Sequence, residues 1–224
     1  MTEPYLTIAK NTTYEQTIKK SRFICSIARV SSEEEAQQFI TSIQAANKKA
    51  THNCFAYMIG DNDRIQRESD NGEPSGTAGI PILESLKLAK IHNVVAVVTR
   101  YFGGIKLGAG GLIRAYSNTT TEAIHQAGLV QRIKQAILKI TVTYALHDPL
   151  LYYLKENNLE VAGEEYGVNV ETSIYVNETD LEDVKEKLIN RFNDQLQITE
   201  GDQRFNEIPY VVCKIKLEKI KSHL

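Results

Sequence analysis

The stretch Asn93–Arg114, NVVAVVTRYFGGIKLGAGGLIR, decides how the rest of the chain is organised. It begins with the unbroken, mostly β-branched run Val94–Val98, which predicts a buried strand. Arg100–Phe102 then lead out of the strand and are expected to leave the core. A loop with five glycines follows and ends where a helix is predicted. A core strand that feeds a glycine-rich, basic and aromatic loop is a frequent layout of a functional site.

This loop does not match the common phosphate-binding fingerprints. Gly103 and Gly108 have the spacing that opens a P-loop, but Ala109 replaces its lysine. Ile113 stands where the fingerprint Gly108-x-Gly110 for dinucleotides needs a third glycine. Successive glycines still expose backbone N–H groups beside a lysine and a helix N-terminus, which suits a phosphate or carboxylate. The alternative is a crowded strand-to-helix turn that needs positive φ.

A second stretch without apolar periodicity, residues 70–79 (DNGEPSGTAG), precedes a predicted helix that runs to about Lys90. Ser75 or Thr77 is expected to cap this helix. A surface turn with a helix cap is one interpretation. We favour the other, in which Glu73 and two hydroxyls meet an anion at the helix N-terminus, because ten small and polar residues separate regular elements.

His52–Ile59 alternates as a strand does and places His52 and Cys54 on one face. A hydrogen-bonded core histidine and a buried thiol explain that face without a function. A metal site would need three or four ligands, and no second His/Cys pair has ligand spacing, so no metal and no cofactor are expected. Cys54 as a nucleophile would need an exposed thiol of low pKa, which a strand position disfavours.

Several further elements of the first half follow from local patterns. Residues 5–29 predict two or three strands. Ser31 or Ser32 with the acids behind it predicts the capped start of a helix that ends near Asn47. A helix from about Leu107 or Ala109 to Gln126 has Gly128 as its C-cap. The predicted buried side of this helix consists of Leu112, Ile113, Tyr116, Ala123 and Ile124.

Composition bounds the class of protein. With 224 residues, 42% hydrophobic and 24% charged, the chain is a globular protein of one large or two small domains. It shows no apolar run near the length of a membrane span and no signal peptide at its N-terminus. Its three cysteines are odd in number and far apart, which favours reduced thiols and a cytoplasmic location.

Charge is distributed unevenly along the chain. Residues 1–131 carry 14 Lys and Arg against 12 Asp and Glu, a net of +2, and residues 132–224 carry 12 against 16, a net of −4. Residues 76–116 alone carry five basic residues against one acidic residue, a net of +4. This falls short of a dedicated nucleic-acid binder, and no DNA specificity is indicated, but it permits a local anion site or a modest basic face.

The chain crosses into a second unit near Gln131–Lys134, so we expect domains at 1–131 and 132–224. The elements predicted after this point follow the order βαββαβ, with a last strand over residues 210–217. This order is typical of a ferredoxin-like domain. The fold class is therefore α+β, although a ferredoxin-like unit by itself says little about function.

Four segments of the first domain resemble the IMPACT family. They are Ser21-Arg22-Phe23, residues 50–56 (ATHNCFA), residues 70–79, and Arg100-Tyr101-Phe102-Gly103-Gly104 with Leu107-Gly108. The last segment is similar to the family signature and is highly specific. The matches span most of residues 18–118, and the C-terminal segment is similar, at lower specificity, to the small domain that follows in bacterial members.

This resemblance implies a fold and a field of function. The N-terminal domain is implied to be an α/β sandwich like ribosomal protein S5 domain 2, also seen in elongation factor G, followed by a ferredoxin-like domain. Eukaryotic members are implied to be translation regulators that compete for the activator of a stress-response kinase through an extra N-terminal domain. This sequence does not show that domain, so the kinase role is not transferred. For bacterial members the resemblance implies association with nucleic acid or the ribosome.

Three hypotheses remain open at this point. The first is a regulator that binds RNA, the ribosome or translation factors through the Arg100–Gly111 loop, because aromatic rings stack on bases and cations hold phosphates. The second is a protein-interaction regulator without nucleic-acid contact. The third is an enzyme on a small anionic substrate, with His52 and Glu73 as weak catalytic candidates and Arg100 as the clamp. The expected ligand-binding residues are Glu73, Ser75, Thr77, Arg100, Tyr101, Phe102, Gly103, Gly104, Lys106, Gly108 and Arg114.

Overall fold

The computed structural model describes residues 4–210, which form two compact units. The first unit consists of Tyr5–Gln131 with residues 208–210, and the second of Arg132–Glu207. Within these described residues, no helix is both long and apolar enough to cross a membrane. The strand predicted over residues 210–217 lies, apart from its first residue, outside the described residues, as does Cys213.

The first unit is a mixed α/β structure. Its strands are β1 (Tyr5–Ile8), β2 (Thr12–Ile18), β3 (Ser21–Arg29), β4 (His52–Ile59), β5 (Ile65–Ser69) and β6 (Val94–Tyr101). Its helices are α1 (Glu33–Ala46), α2 (Gly79–Leu88) and α3 (Ala109–Ala127), and a short 3-10 turn spans Asp61–Asp63. Strands β2 to β6 form one antiparallel sheet in the order β2-β3-β6-β4-β5. The predicted core strand is β6, and it occupies the middle of this sheet.

Helices cover both faces of this sheet, which explains why β6 is apolar without a break. Val95 and Val97 belong to the core cluster shared with α1. Val94, Ala96 and Val98 belong to the core cluster shared with α2 and α3. Since successive side chains of a strand point to opposite faces, both sets are apolar only because both faces are buried. The first unit is therefore a sandwich of helices around a sheet, as expected for the N-terminal domain.

The predicted ends of α1 and α3 are confirmed by their hydrogen bonds and backbone angles. Ser32 is the N-cap of α1, and its hydroxyl accepts a hydrogen bond from the Glu35 N–H at 3.2 Å. The Glu35 carboxylate accepts in return from the Ser31 N–H at 2.7 Å, a variant of the capping box. α3 lies between Gly108 (φ 75°) and Gly128 (φ 69°), and both glycines adopt the left-handed conformation that favours this residue.

One predicted position on the buried side of α3 is wrong, and two positions not predicted there are buried. Ile113 is 37% exposed, so its predicted place on the buried side is wrong. Thr119 and Thr120 are fully buried instead, and their hydroxyls donate to the carbonyls of Ala115 and Tyr116 one turn earlier, at 2.6 and 2.9 Å. These internal bonds satisfy each hydroxyl within the helix, which lets a polar residue occupy an apolar face.

The cap of α2 is also different from the predicted one. Neither Ser75 nor Thr77 caps the helix, because Thr77 donates its hydroxyl proton to the Pro74 carbonyl at 2.6 Å. Asp70 takes this role from a distance: its carboxylate accepts from the N–H groups of Gly76, Ala78 and Gly79 at 2.7, 2.9 and 2.8 Å. The loop 70–79 is therefore folded around one carboxylate at the start of α2.

The second unit has the order predicted for a ferredoxin-like domain. Its elements are β7 (Leu129–Val142), α4 (Tyr144–Glu156), β8 (Val161–Tyr166), β9 (Val170–Asn177), α5 (Leu181–Phe192) and β10 (Gln197–Pro209), and β7 begins at the end of the first unit. β9 lies between β7 and β8 and is antiparallel to both, and β10 pairs with β7. Both helices pack on one core with these strands. The fold class is thus an N-terminal α/β sandwich followed by a ferredoxin-like βαββαβ domain.

Replacing Asp70 with Asn tests its capping role. Partial burial raises the pKa of Asp70, but the N–H groups of Gly76, Gly79 and Ala78 outweigh it and hold this pKa below the usual 3.8. We expect Asp70→Asn to lower the free energy of unfolding by about 1–2 kcal/mol at neutral pH. Urea denaturation measures this, with Glu84→Gln, which breaks an exposed ion pair on the same helix, as the control.

The pH dependence of the same variant gives an independent check. A carboxyl whose folded pKa is depressed contributes stability above its unfolded pKa and loses it as the pH falls through the folded pKa. The wild-type protein should therefore lose more stability than Asp70→Asn when the pH falls from about 6 to about 3. Parallel pH curves for the two proteins would contradict the proposed cap.

Candidate functional site

One end of the central sheet brings the predicted residues together. Arg100 is the next-to-last residue of β6, and the strand register places it opposite His52 of β4 on one side and Phe23 of β3 on the other. The loop 70–79 folds over this row because Asp70 fixes it at the start of α2. Glu73, in the middle of that loop, thereby reaches Arg100.

Glu73 and Arg100 form a buried ion pair. Arg100 Nη1 lies 2.5 Å from Glu73 Oε1, and the two side chains are only 5% and 3% exposed. The Tyr116 hydroxyl of α3 donates to the same carboxylate oxygen at 2.8 Å. Arg100 was expected to leave the core with Tyr101 and Phe102, and this is wrong: the residue is buried, because its charge is neutralised inside the protein.

The remaining sides of the Arg100 guanidinium are mostly apolar. Its centre lies 5.3 Å from the ring of Phe23 and 5.4 Å from the ring of Phe102, at the distance of cation–π contacts. Nη2 donates to the Ser21 hydroxyl at 3.4 Å, and Nε has no hydrogen-bond partner among the described residues. The Ser21 hydroxyl also accepts from the Gly103 N–H at 3.2 Å. Arg100 therefore connects β3, the loop 70–79 and the glycine-rich loop over residues 103–111, which we call the glycine loop.

The position of His52 brings the two weak catalytic candidates, His52 and Glu73, together with the proposed anion clamp Arg100. Its Nε2 lies 3.8 Å from Glu73 Oε2, and its Nδ1 lies 2.9 Å from the carbonyl oxygen of Asn71. Spacing in the sequence permitted this meeting of His52, Glu73 and Arg100 but did not require it. Since Glu73 is enclosed and already accepts from Arg100 and Tyr116, the cluster gives a substrate little access to the carboxylate.

Cys54 is buried beside this cluster. Its Sγ lies 2.9 Å from the Asp70 carbonyl oxygen and 3.4 Å from the Tyr116 hydroxyl oxygen. Burial raises the pKa of Cys54 to about 12, against a smaller lowering by the Tyr116 hydroxyl. Burial likewise raises the pKa of Cys25 to about 12. Both thiols stay protonated at neutral pH, so neither is a nucleophile in the folded protein.

The other predicted ligand residues divide between the surface and the interior. Ser75, Phe102, Gly104, Lys106, Gly108 and Arg114 are exposed, whereas Thr77 is buried and used in its own turn. Tyr101 is half-buried: its hydroxyl donates to the Asn47 side chain at 2.8 Å, and Arg22 lies over its ring at 5.2 Å. Within the described residues, no group of three or more His, Cys, Asp or Glu side chains could hold a metal ion.

Gly103 allows its loop to pack closely against a neighbouring turn. A Cβ at this position would lie 2.0 Å from the backbone oxygen of Lys20, in the turn between β2 and β3. Only glycine permits this approach of the loop to the turn. The turn itself is a two-residue hairpin connection, in which Lys19 and Lys20 both have positive φ, at 45° and 66°. The glycine loop and the hairpin turn thus form one surface.

We name this region the loop surface and define it by its exposed side chains. These are Lys19, Lys20, Phe102, Ile105, Lys106 and Arg114. None of the four cations has an ion-pair or hydrogen-bond partner within residues 4–210. Sequence reasoning missed Lys19 and Lys20, since nothing local in the sequence connects a hairpin at residue 20 with a loop at residue 103. It also missed Tyr116, whose place on an apolar stripe concealed its hydroxyl.

Comparisons with known protein families match both units. The Impact N-terminal domain matches residues 19–124, and a domain of unknown function, DUF1949, matches residues 140–195. The first match contains the buried cluster of His52, Glu73, Arg100 and Tyr116, as well as the loop surface. The site described above therefore lies within a single matched domain.

Individual relatives extend the likeness over nearly the whole chain. The IMPACT family member YvyE of Bacillus subtilis is 44% identical over 92% of this chain and 95% of its own. An IMPACT family member of Haemophilus influenzae is 31% identical over 87% of this chain and 95% of its own length. The Protein IMPACT of Oryctolagus cuniculus is 35% identical over 41% of this chain and 30% of its own. A crystal structure described as that of a hypothetical protein has 29% identity and a TM-score of 0.57, and covers 90% of this chain and 99% of that one.

Breaking the buried ion pair should destabilise the first unit strongly. Glu73→Ala leaves Arg100 buried without its partner, and we expect the free energy of unfolding to fall by about 3–5 kcal/mol. The exposed pair Arg22–Glu15, on the same sheet, provides the control: Glu15→Ala should cost much less, since water screens that pair. Denaturant unfolding measures both losses. Equal losses in the two variants would contradict a structural role for the buried pair.

The buried thiols give a prediction about reactivity. Peptides containing Cys25 and Cys54 should remain unmodified when the native protein is treated with iodoacetamide at about pH 8, because their thiols are enclosed and protonated. The same peptides should be labelled completely in guanidinium chloride, which serves as the control. Peptide mass spectrometry reads the result, and rapid labelling of Cys54 in the folded protein would show that it is an accessible thiolate.

Proposed function

The chain belongs to the IMPACT family, and from this premise we propose that it binds single-stranded RNA of the translation machinery through the loop surface. The observation that carries the proposal is the group of four unpaired cations, Lys19, Lys20, Lys106 and Arg114, around an exposed phenylalanine. Affinity for nucleic acid comes mainly from such cations, which neutralise phosphates and release counterions. An exposed aromatic ring adds stacking that does not depend on the base.

The position of α3 supports binding of an anion at this surface. Gly108 caps the helix without a side-chain hydrogen bond, and the first turn contains no acidic residue. The N-terminal N–H groups and the helix dipole therefore favour a phosphate beside Lys106. The start of α2 differs, because the Asp70 carboxylate already occupies its N–H groups. Of the two long helices on this face, α3 is the one with an available N-terminus.

Arg100 takes a different part in this function from the one the sequence suggested. It is buried and paired with Glu73, so its guanidinium is enclosed and not placed to meet a phosphate at the surface. Its guanidinium contacts the ring of Phe102 and donates a hydrogen bond to the Ser21 hydroxyl. The same hydroxyl accepts a hydrogen bond from the Gly103 N–H. Arg100 thus shapes the loop surface, and its replacement would test stability and not recognition. The variants that test recognition must come from the exposed cations.

Removing two surface charges should weaken RNA binding and its dependence on salt. We expect the variant Lys20→Gln with Lys106→Gln to bind a labelled single-stranded oligoribonucleotide more weakly at about 50 mM salt. The plot of log affinity against log salt concentration has a negative slope, and the magnitude of this slope should decrease by about one for each lost phosphate contact. Fluorescence anisotropy measures both quantities.

A control variant removes one charge elsewhere on the same unit, and the effects are compared per charge removed. Lys10 is exposed and precedes β2, whose seven residues separate it by roughly 23 Å from the hairpin turn. Lys10→Gln should leave the affinity and the slope almost unchanged. The proposal fails if the wild-type protein does not bind RNA at low salt, or if both variants behave alike. Retention on ribosomes that survives nuclease treatment, without any RNA affinity, would support a protein-interaction regulator instead.

A further inference from the structure

A pocket of 260 Å³ opens between the hairpin turn and α3, beside the glycine loop. Ile18, Leu107 and Ala115 form its apolar floor, and Lys19, Arg114 and Asn118 supply polar groups at its rim. Gly111, Arg114, Ala115 and Asn118 recur along α3 at helical spacing, so a single face of the helix forms one wall. The pocket combines a small apolar floor with a few polar groups, as small-ligand sites do.

The rim groups are free to bind a ligand. Within residues 4–210, the side chains of Lys19, Arg114 and Asn118 have neither an ion pair nor a hydrogen bond. Two cations at one small opening repel each other, which favours an anion between them. The Asn118 amide carries both donors and acceptors, and it can pair with the edge of a heterocyclic base as asparagine does with adenine.

The backbone holds one of these cations in place. Lys19 is the first of the two turn residues between the paired residues Ile18 and Ser21, with φ of 45°. A residue without glycine's freedom adopts this conformation at a cost, and such costs concentrate at functional positions. The close approach of Gly103 to Lys20 then fixes the turn against the loop. Lys19 thus starts from a fixed backbone and not from a flexible tip.

We propose that this pocket holds one ribonucleotide unit, with the base on the apolar floor, the base edge at Asn118 and the phosphate between Lys19 and Arg114. The proposal rests on the proposed function and adds to it a place where one nucleotide of the strand is inserted. A free ribonucleoside monophosphate carries the same chemistry. Inserting an unstacked base into a pocket is a common way in which proteins recognise single-stranded RNA.

The test compares small probes that contain parts of a nucleotide. Adenosine monophosphate should bind more tightly than ribose 5-phosphate, and ribose 5-phosphate should bind no better than inorganic phosphate, because the floor and Asn118 act on the base. Backbone amide shifts, recorded by NMR during titration, give the dissociation constants and show whether residues 107–118 respond. Equal affinity for all three probes would overturn the nucleotide assignment and leave a simple phosphate site.

Two variants separate the base contact from the phosphate contact. Asn118→Ala should lower the affinity for adenosine monophosphate by about threefold to tenfold, the effect of one net hydrogen bond. Its affinity for inorganic phosphate should stay unchanged. Arg114→Gln should lower the affinity for every probe, because each probe contains a phosphate. Gln38→Ala removes an exposed amide from α1, on the opposite face of the sheet, and serves as the control. Each variant should melt within about 2 °C of the wild-type protein, as expected for surface changes.

An oligoribonucleotide distinguishes failure of the pocket from failure of RNA binding. If Asn118→Ala loses affinity for both the oligonucleotide and adenosine monophosphate, the pocket holds a nucleotide of the strand. If the oligonucleotide binds equally well to Asn118→Ala and wild type, the pocket proposal fails while the proposed function stands. If only the free nucleotide binds, and does so through Asn118, the pocket is confirmed with a free nucleotide as its ligand, and the proposed function fails.

Discussion

The structure of the first unit depends on the ion pair between Arg100 and Glu73, which is enclosed between the sheet and α3. A buried charge is tolerated only when a partner and hydrogen bonds compensate for its lost hydration. The partner comes from the loop 70–79, and the additional hydrogen bond comes from Tyr116 of α3. Three segments that are distant in the sequence must therefore fold correctly before Arg100 can be buried, which makes the pair a requirement for the domain as a whole.

This requirement divides the glycine-rich stretch into two parts with different tasks. Arg100 faces inward, and with Ser21 it fixes the position of Gly103. Phe102 covers the guanidinium with one face and remains 46% exposed, so it belongs to both parts. In the loop that follows, Gly104, Ile105, Lys106 and Gly108 are exposed beside the hairpin turn. A sequence motif that looks like one binding loop is thus a structural anchor followed by a candidate recognition surface.

Local patterns predicted much of the fold but little of the arrangement of the site. The core strand, the helix caps at Ser32 and Gly128 and the βαββαβ order could be inferred, because each depends on neighbouring residues. Sequence reasoning failed where the deciding partner is remote. The burial of Arg100 was missed because its partner Glu73 lies 27 positions away in the sequence. The cap of α2 was assigned to Ser75 or Thr77 because the true acceptor, Asp70, acts across several residues. The prediction for Ile113 was wrong for another reason, since apolar residues also occur at the surface of folded proteins.

The balance of charge at the site argues for recognition by surface cations and not for catalysis at the buried cluster. Arg100 and Glu73 neutralise each other, and Tyr116 uses the remaining capacity of the nearer carboxylate oxygen. The pair has no uncompensated charge to attract a substrate, and its two side chains are only 5% and 3% exposed. Lys19, Lys20, Lys106 and Arg114 retain their charges at the surface. The positive field that an approaching anion meets therefore comes from these surface cations and not from the buried pair.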